Sequence, residues 1–269
     1  MTAAYGPYET GRKALVTGVH VKSREEIEAM RRAGRIVAAV LHELKKMVAP
    51  GITPEQLDDV AERTILASGG KPAFKGYSGY PATICASVND VVVHGIPDKR
   101  PLQEGDLLSL DVGVVLDGYY ADAAITIPVG RVSPVARKLL RVTREALEAG
   151  IKRARPGASV ADVSAAVERL AVRHGFSVVR ELSGHGIGRK MHEPPQVPNF
   201  VDGASKEDLR TELRPGVTIC IEPMVNEGSG EVVRDPDGWT TRTRDHGLSA
   251  HFEHTVAIEA HGPEILTLI

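Results

Sequence analysis

The sequence predicts an α+β fold assembled from two similar halves around a shared antiparallel sheet, and three observations carry that expectation. Amphipathic helices come in pairs; each pair runs into short β-branched segments punctuated by Gly, Pro and Asn-Asp turns; and the whole order repeats about a hundred residues later. The 269 residues, 42% hydrophobic, can bury one sizeable core without dividing into several domains. The expected organisation is a short N-terminal extension over 1–22 and one domain over 23–269, with internal halves at about 23–130 and 131–260.

Ser23 with Glu26 three positions on forms a capping box, and apolar Ile27, Met30, Ile36, Val37, Val40 and Leu44 follow on one helical face. Pro50-Gly51 ends that helix. Thr53 as N-cap, Pro54 as first helical residue and the Gly69-Gly70 pair define a second. Then TICASV, VVVHGI and LLSLDVGVVLDGYYADAAITI read as strands, with Asp117-Gly118 as a two-residue hairpin turn. Ser133-Pro134 opens a third helix reaching about Ala154, and RPGASVADVSAAVERLAVRHGF repeats the start of the second. Pro50 and Pro156, Thr53 and Ser159, Glu62 and Glu168, and Arg63 and Arg169 share an offset of 106 positions, and aligning EGDLLSLDVG with RPGVTICIEP sets Asp111 opposite Glu222.

A formal charge of −2 argues against a chain built around nucleic acid or an anionic membrane, although a local basic patch remains compatible with it. Two cysteines, Cys85 and Cys220, are too few for a disulfide framework or a four-cysteine zinc module and read as small buried apolar residues of a reducing cytoplasm. The N-terminal residues lack the apolar core of a signal peptide, and no run of about eighteen apolar residues occurs later.

The chemistry lies in acids that interrupt strands. With the turn at Asp117-Gly118, Asp111 faces Ala124, and Asp122 lies two residues from that partner on the same face, the two aspartates being diagonal neighbours about 7 to 8 Å apart at the backbone. Glu222 closes the apolar run VTICI before Pro223, and Glu253 sits between strand-like segments in LSAHFEHTVAI; burying either unpaired would be costly. His185 stands in SGHGIG, where flanking glycines allow close backbone approach. Several carboxylates with one imidazole make a hard, oxygen-rich ligand set that favours Mn, Fe or Co over a thiolate-type zinc site, with zinc still allowed. A pair of such ions can hold a hydroxide and polarise a carbonyl, which points to hydrolysis.

In order and spacing, Asp111, Asp122, His185, Glu222 and Glu253 resemble the five metal ligands of the type I methionine aminopeptidases. The resemblance extends from about Ser23 to Val256 through GYSGYPATICASVNDVVVHGIP, LDVGVVLDGYYADAAIT, GHGIGRKMHEPPQVPNF, IEPM and LSAHFEHTV. It implies the pita-bread fold, two pseudo-symmetric α/β halves around a curved antiparallel sheet. It also implies two divalent ions per chain, of Co, Mn, Fe, Zn or Ni type, with Asp122 and Glu253 shared between them, Asp111 on one, and His185 with Glu222 on the other. Under the same resemblance a water between the ions attacks the methionyl carbonyl, Glu222 acts as proton shuttle, His192 contacts the scissile carbonyl, and His94 lies near the amide nitrogen of the second residue. Tyr77, Tyr80, Cys85, Met191 and Trp239 correspond to an apolar pocket for methionine. Met191 stands where a Phe is common, and Phe74 where a Cys is common, so the pocket wall departs from the family's pattern. The implied partners are nascent polypeptides beginning with Met and followed by a small residue, with transient ribosome association, no nucleic-acid or membrane role, and a cytoplasmic monomer.

Two rivals share the fold. An aminopeptidase P or prolidase carries equivalent ligands but usually adds a large N-terminal domain, whereas only about twenty residues precede the first predicted helix here. A non-catalytic binding protein on the same fold would be expected to lose ligands, and all five remain.

Overall fold

The computed structural model describes residues 18–268; the expected N-terminal extension therefore lies mostly outside the described residues. In the first half, helices α1 (Arg24–Met47) and α2 (Pro54–Ala67) precede strands β1 (Lys71–Pro72), β2 (Cys85–Val88), β3 (Val91–Val93), β4 (Leu107–Leu116) and β5 (Tyr119–Pro128). In the second, α3 (Pro134–Arg153) and α4 (Val160–Arg173) precede β6 (Ser177–Val178), β7 (Ser183–Gly186), β8 (Glu193–Pro198), the short α5 (Lys206–Leu209), β9 (Thr218–Ile221), β10 (Met224–Asn226), β11 (Val232–Arg234), β12 (Thr241–Thr243), β13 (Ser249–His251), β14 (His254–Glu259) and β15 (Gly262–Ile265).

The helix starts follow from their caps. Ser23 Oγ accepts from the N–H of Glu26, whose carboxylate accepts from the N–H of Ser23, and Thr53 makes the same reciprocal pair with Gln56. At α4 the Asp162 carboxylate accepts from both the N–H and the Oγ–H of Ser159. The repeat seen in the sequence survives in space: Thr53 and Ser159 each begin a 14-residue helix. Glu62 and Glu168, matched in that repeat, each hold a cation from the segment that follows, Lys75 at 2.7 Å and Arg180 at 2.9 Å.

All sheet pairings are antiparallel. One sheet has β4 flanked by β1, β2 and β5; a second runs β15-β14-β9-β7-β8; the others are β13-β10-β6 and β11-β12-β3. The β4–β5 hairpin has the predicted register, Asp111 opposite Ala124 and Gly113 opposite Asp122. Asp117 and Gly118 both take positive φ (52° and 78°), as a tight hairpin turn matched to strand twist requires. α1 lies across β4 and β5, while α3 packs on α4. The first half buries Val37, Leu44, Leu110 and Val112 in one apolar cluster, the second Leu139, Val163, Ile219 and Val256 in another.

The halves meet along β5. Its outward edge, not used by β4, faces residues 251–255 in antiparallel register. Ala124 and Glu253 exchange backbone hydrogen bonds (2.9 and 3.4 Å). On either side, threonine hydroxyls replace direct backbone pairing: Thr255 Oγ1 accepts from the N–H of Asp122 at 2.9 Å and donates to its carbonyl at 2.8 Å. Thr126 Oγ1 likewise accepts from the N–H of His251 at 2.8 Å and donates to its carbonyl at 2.7 Å. No helix among the described residues is long and apolar enough to cross a membrane.

Candidate active site

The seam brings the acids together. Asp111 is in the middle of β4 and Asp122 in β5, whereas Glu222 follows the last residue of β9 and Glu253 lies in the gap between β13 and β14. Asp111 and Asp122 line the same cavity from the paired strands. Asp122, His185, Cys220 and Glu253 each place a ligand-capable atom within 4.8 Å of the others, and Glu222, His251 and Glu253 do the same. His185, on β7, has Nδ1 2.9 Å from the carbonyl of Gly186, which fixes the proton there and frees Nε2, 3.5 Å from Glu222 Oε1.

Burial dominates the electrostatics. It pushes the carboxyls of Asp122, Glu222 and Glu253 well above the usual range, and the neighbouring carboxylates push them further. Asp111 is raised as well, mainly by burial. The imidazoles move the other way: burial lowers His185 and His251 to about 3 and His94 to about 4, and lowers His192 too. These rings are therefore neutral at pH 7.

Asp111 Oδ1, Asp122 Oδ1, Glu253 Oε1 and His251 Nε2 are buried without a hydrogen-bond partner. Unpaired buried acceptors on this scale are rare in folded proteins, and a cation is the group that would satisfy them together. The donor set thus fits a divalent metal.

Around the acids lies a cavity of about 210 Å³, and every side chain singled out in the sequence lines it: His94, His192, Tyr77, Tyr80, Cys85, Met191 and Trp239 in addition to the five acid and imidazole residues. His192 sits with its ring 4.2 Å from that of His185, and its Nδ1 is 2.8 Å from the Tyr77 hydroxyl. His94 leaves β3 with a positive φ of 59°, a left-handed turn for a non-glycine residue, and its ring meets Trp239 edge-on. Trp239 in turn packs edge-to-face on Tyr80, whose hydroxyl is 3.0 Å from the carbonyls of Ile84 and Gly95. Phe74, flagged as a departure, lines the same cavity, and Gly113 leaves room for its ring: a Cβ there would come within 2.5 Å of it.

Both cysteines are buried and free, as expected, but Cys220 belongs to the acid cluster rather than to plain core. Sequence reasoning missed that, and missed His251, whose Nε2 is 3.8 Å from carboxylate oxygens of both Glu222 and Glu253. The two-residue step from His251 to Glu253 was the available signal for a shared face.

Residues 28–260 match the model of metallopeptidase family M24. Methionine aminopeptidase A of a Synechocystis species is 49% identical over 91% of this chain and 96% of that protein. Methionine aminopeptidase 1 of Bacillus subtilis is 47% identical over 92% and 98%.

The chain belongs to the methionine aminopeptidases of metallopeptidase family M24.

Among solved structures, the methionine aminopeptidase of Thermotoga maritima superposes with a TM-score of 0.89 at 44% identity, covering 93% of this chain and all of that one. The prolidase of Pyrococcus furiosus shares the pita-bread fold (TM-score 0.75, 22% identity), but the match covers only 65% of its length. Sequence similarity thus separates this methionine aminopeptidase family member from the prolidase rival. Membership of a metallopeptidase family and the buried ligand cluster both support divalent-metal binding.

Proposed function

We propose that this chain removes the N-terminal methionine from nascent polypeptides whose second residue is small. The observation that carries the reading is the convergence of the twelve candidate site residues, drawn from positions 77 to 253, on one small cavity lined by buried acids. Asp111, Asp122, His185, Glu222 and Glu253 would hold two divalent ions of Co, Mn, Fe, Zn or Ni type, with Asp122 and Glu253 shared. When bound, the metals supply an activated water and a Lewis acid for the methionyl carbonyl.

The chain's own groups do the rest. Glu222 is the proton shuttle: its carboxylate, beside His185 and His251 in the cavity, takes a proton from the attacking water and passes it to the departing amine. His192, with Nδ1 engaged by Tyr77, offers Nε2 to the scissile carbonyl oxygen. His94, neutral and held beside Trp239, faces the amide of the second residue. Tyr77, Tyr80, Cys85, Met191 and Trp239 enclose the methionine side chain, and the flexible thioether of Met191 fits an apolar wall of this kind. A cavity of about 210 Å³ matches the size of one terminal residue, which supports an exopeptidic reaction.

The two halves act as one catalytic domain over 23–269, with 1–22 as an N-terminal extension. The setting is a cytoplasmic monomer in transient contact with the ribosome. That contact is supported by a surface groove of about 950 Å³ between α3 and α4, lined by Lys152, Arg153, Arg155, Arg169 and Arg173 with Asp162 as its one acid.

The test is release of free methionine from Met-Ala-Ser, Met-Pro-Ala and Met-Glu-Ser by chelator-stripped protein reconstituted with Mn, Co, Fe or Zn. Metal-dependent cleavage of the first two and not the third is expected. Folded protein that releases no methionine with any ion would contradict the reading and favour a non-catalytic relative.

A further inference from the structure

The acid cluster spans two halves of the chain, so something must fix the acids of one half relative to those of the other. Asp122 sits on the edge of its sheet: β4 occupies one side of β5, and the backbone N–H and C=O of Asp122 point out of the other side toward the second half. Thr255 lies opposite, but its own backbone is committed to its own sheet, pairing Cys220 on β9 and accepting from the N–H of Leu266. The two strands therefore cannot join here by main-chain bonds alone. The Thr255 hydroxyl closes the gap, accepting from Asp122 N–H at 2.9 Å and donating to Asp122 C=O at 2.8 Å, and it is fully buried. Cys220 Sγ, a member of the acid cluster, lies 3.7 Å from the same oxygen. One hydroxyl thus grips both polar groups of the residue that carries the shared carboxylate and touches the Cys220 thiol beneath it.

We infer that Thr255 is a positioning residue for the metal centre: by clamping the main chain of Asp122 across the seam, it sets where the Asp122 carboxylate stands relative to Glu253. The inference rests on the reading of Asp122 and Glu253 as shared ligands. Loss of an outer partner that orients a ligand typically weakens metal binding roughly 10- to 100-fold. Val is the informative replacement, since it keeps the shape of Thr and removes only the oxygen. Ser keeps the oxygen.

The experiment is calorimetric titration of chelator-stripped protein with Mn²⁺ alone, together with the visible absorption of the Co²⁺ form, whose bands report ligand geometry. Thr255→Val is expected to bind Mn²⁺ roughly 10- to 100-fold more weakly and to shift the Co²⁺ bands. Thr255→Ser should restore both to near wild type. Ser23→Ala, which strips the cap of α1, serves as a destabilised control and should leave Mn²⁺ affinity unchanged. If Thr255→Val does not fold, Thr255→Ala, which leaves space for a bridging water, is read instead and should bind several-fold more weakly. Native affinity and unshifted bands in the folded Val or Ala variant would overturn the proposal, as would equal losses in the Ser and Val variants. Wild-type protein that binds no Mn²⁺ would instead refute the underlying ligand reading.

Discussion

The first half supplies its acids from inside continuous strands, and the second supplies them where strands stop. Asp111 and Asp122 stand in the ten-residue strands β4 and β5 in perfect ladder register. Glu222 follows the end of β9 before Pro223, and Glu253 occupies the break between β13 and β14. Short carboxylates on a rigid hairpin thus meet longer ones on irregular backbone. Two halves with the same helix starts have reached one site by different local means, and the seam at Asp122 and Thr255 ties the regular half to the irregular one.

The largest effect expected from breaking this meeting is at Asp122 and Glu253, the acids that approach each other from the two sides of the seam. Asp122→Ala or Glu253→Ala should abolish methionine release, a loss on the order of 10³-fold or more, because a metal site without its shared ligand loses both nucleophile and electrophile. The same variants, with metal removed, should be at least as stable as wild type by thermal unfolding, since each deletes a buried carboxyl that only a cation satisfies. A strongly destabilised metal-free variant would mean that the acids serve the fold rather than a metal.

Exchanging the lengths sharpens the contrast. Asp111→Glu overreaches from a rigid strand and Glu222→Asp falls short from a loop, so each should lower kcat/KM by about 10²-fold with the fold intact by circular dichroism. Near-native activity in Asp111→Glu would show that β4 yields more than its register implies.

A smaller effect is readable in pH. Burial raises the Asp122 pKa in the folded chain above its unfolded value near 4, so the folded metal-free state binds more protons and loses stability as pH rises from about 4. Asn at this position does not titrate. The stability advantage of Asp122→Asn over wild type, both in chelator, should therefore grow between about pH 4 and pH 8 in denaturant melts; a constant difference would contradict a raised Asp122.

The smallest expected change lies far from the acids. Thr53→Ala removes one side of the α2 capping box and should cost about 1 kcal/mol, a shift of about 2–4 °C in Tm, with unchanged activity.

Much of this was legible in sequence because it is local. Ser23, Thr53 and Ser133 announced their helices through capping chemistry, and Asp117-Gly118 set the hairpin register that puts Asp111 across from Ala124. The candidate site was legible through the resemblance and through acids placed in apolar runs. The seam was not. Thr126 meets His251 and Thr255 meets Asp122 across 125 and 133 positions, and a threonine that bridges two strands looks, in sequence, like any strand threonine. The division of the second half into short ladders was equally hidden, since β11, β12 and β13 are three residues each and carry little periodicity.

The measurement that bears most directly on the central claim is anomalous scattering from crystals of the protein loaded with Mn²⁺. The account predicts two peaks about 3.5 to 4 Å apart, both contacted by Asp122 and Glu253, with Asp111 on one and His185 with Glu222 on the other. A peak elsewhere, or none at these carboxylates in protein that binds the ion, would contradict it.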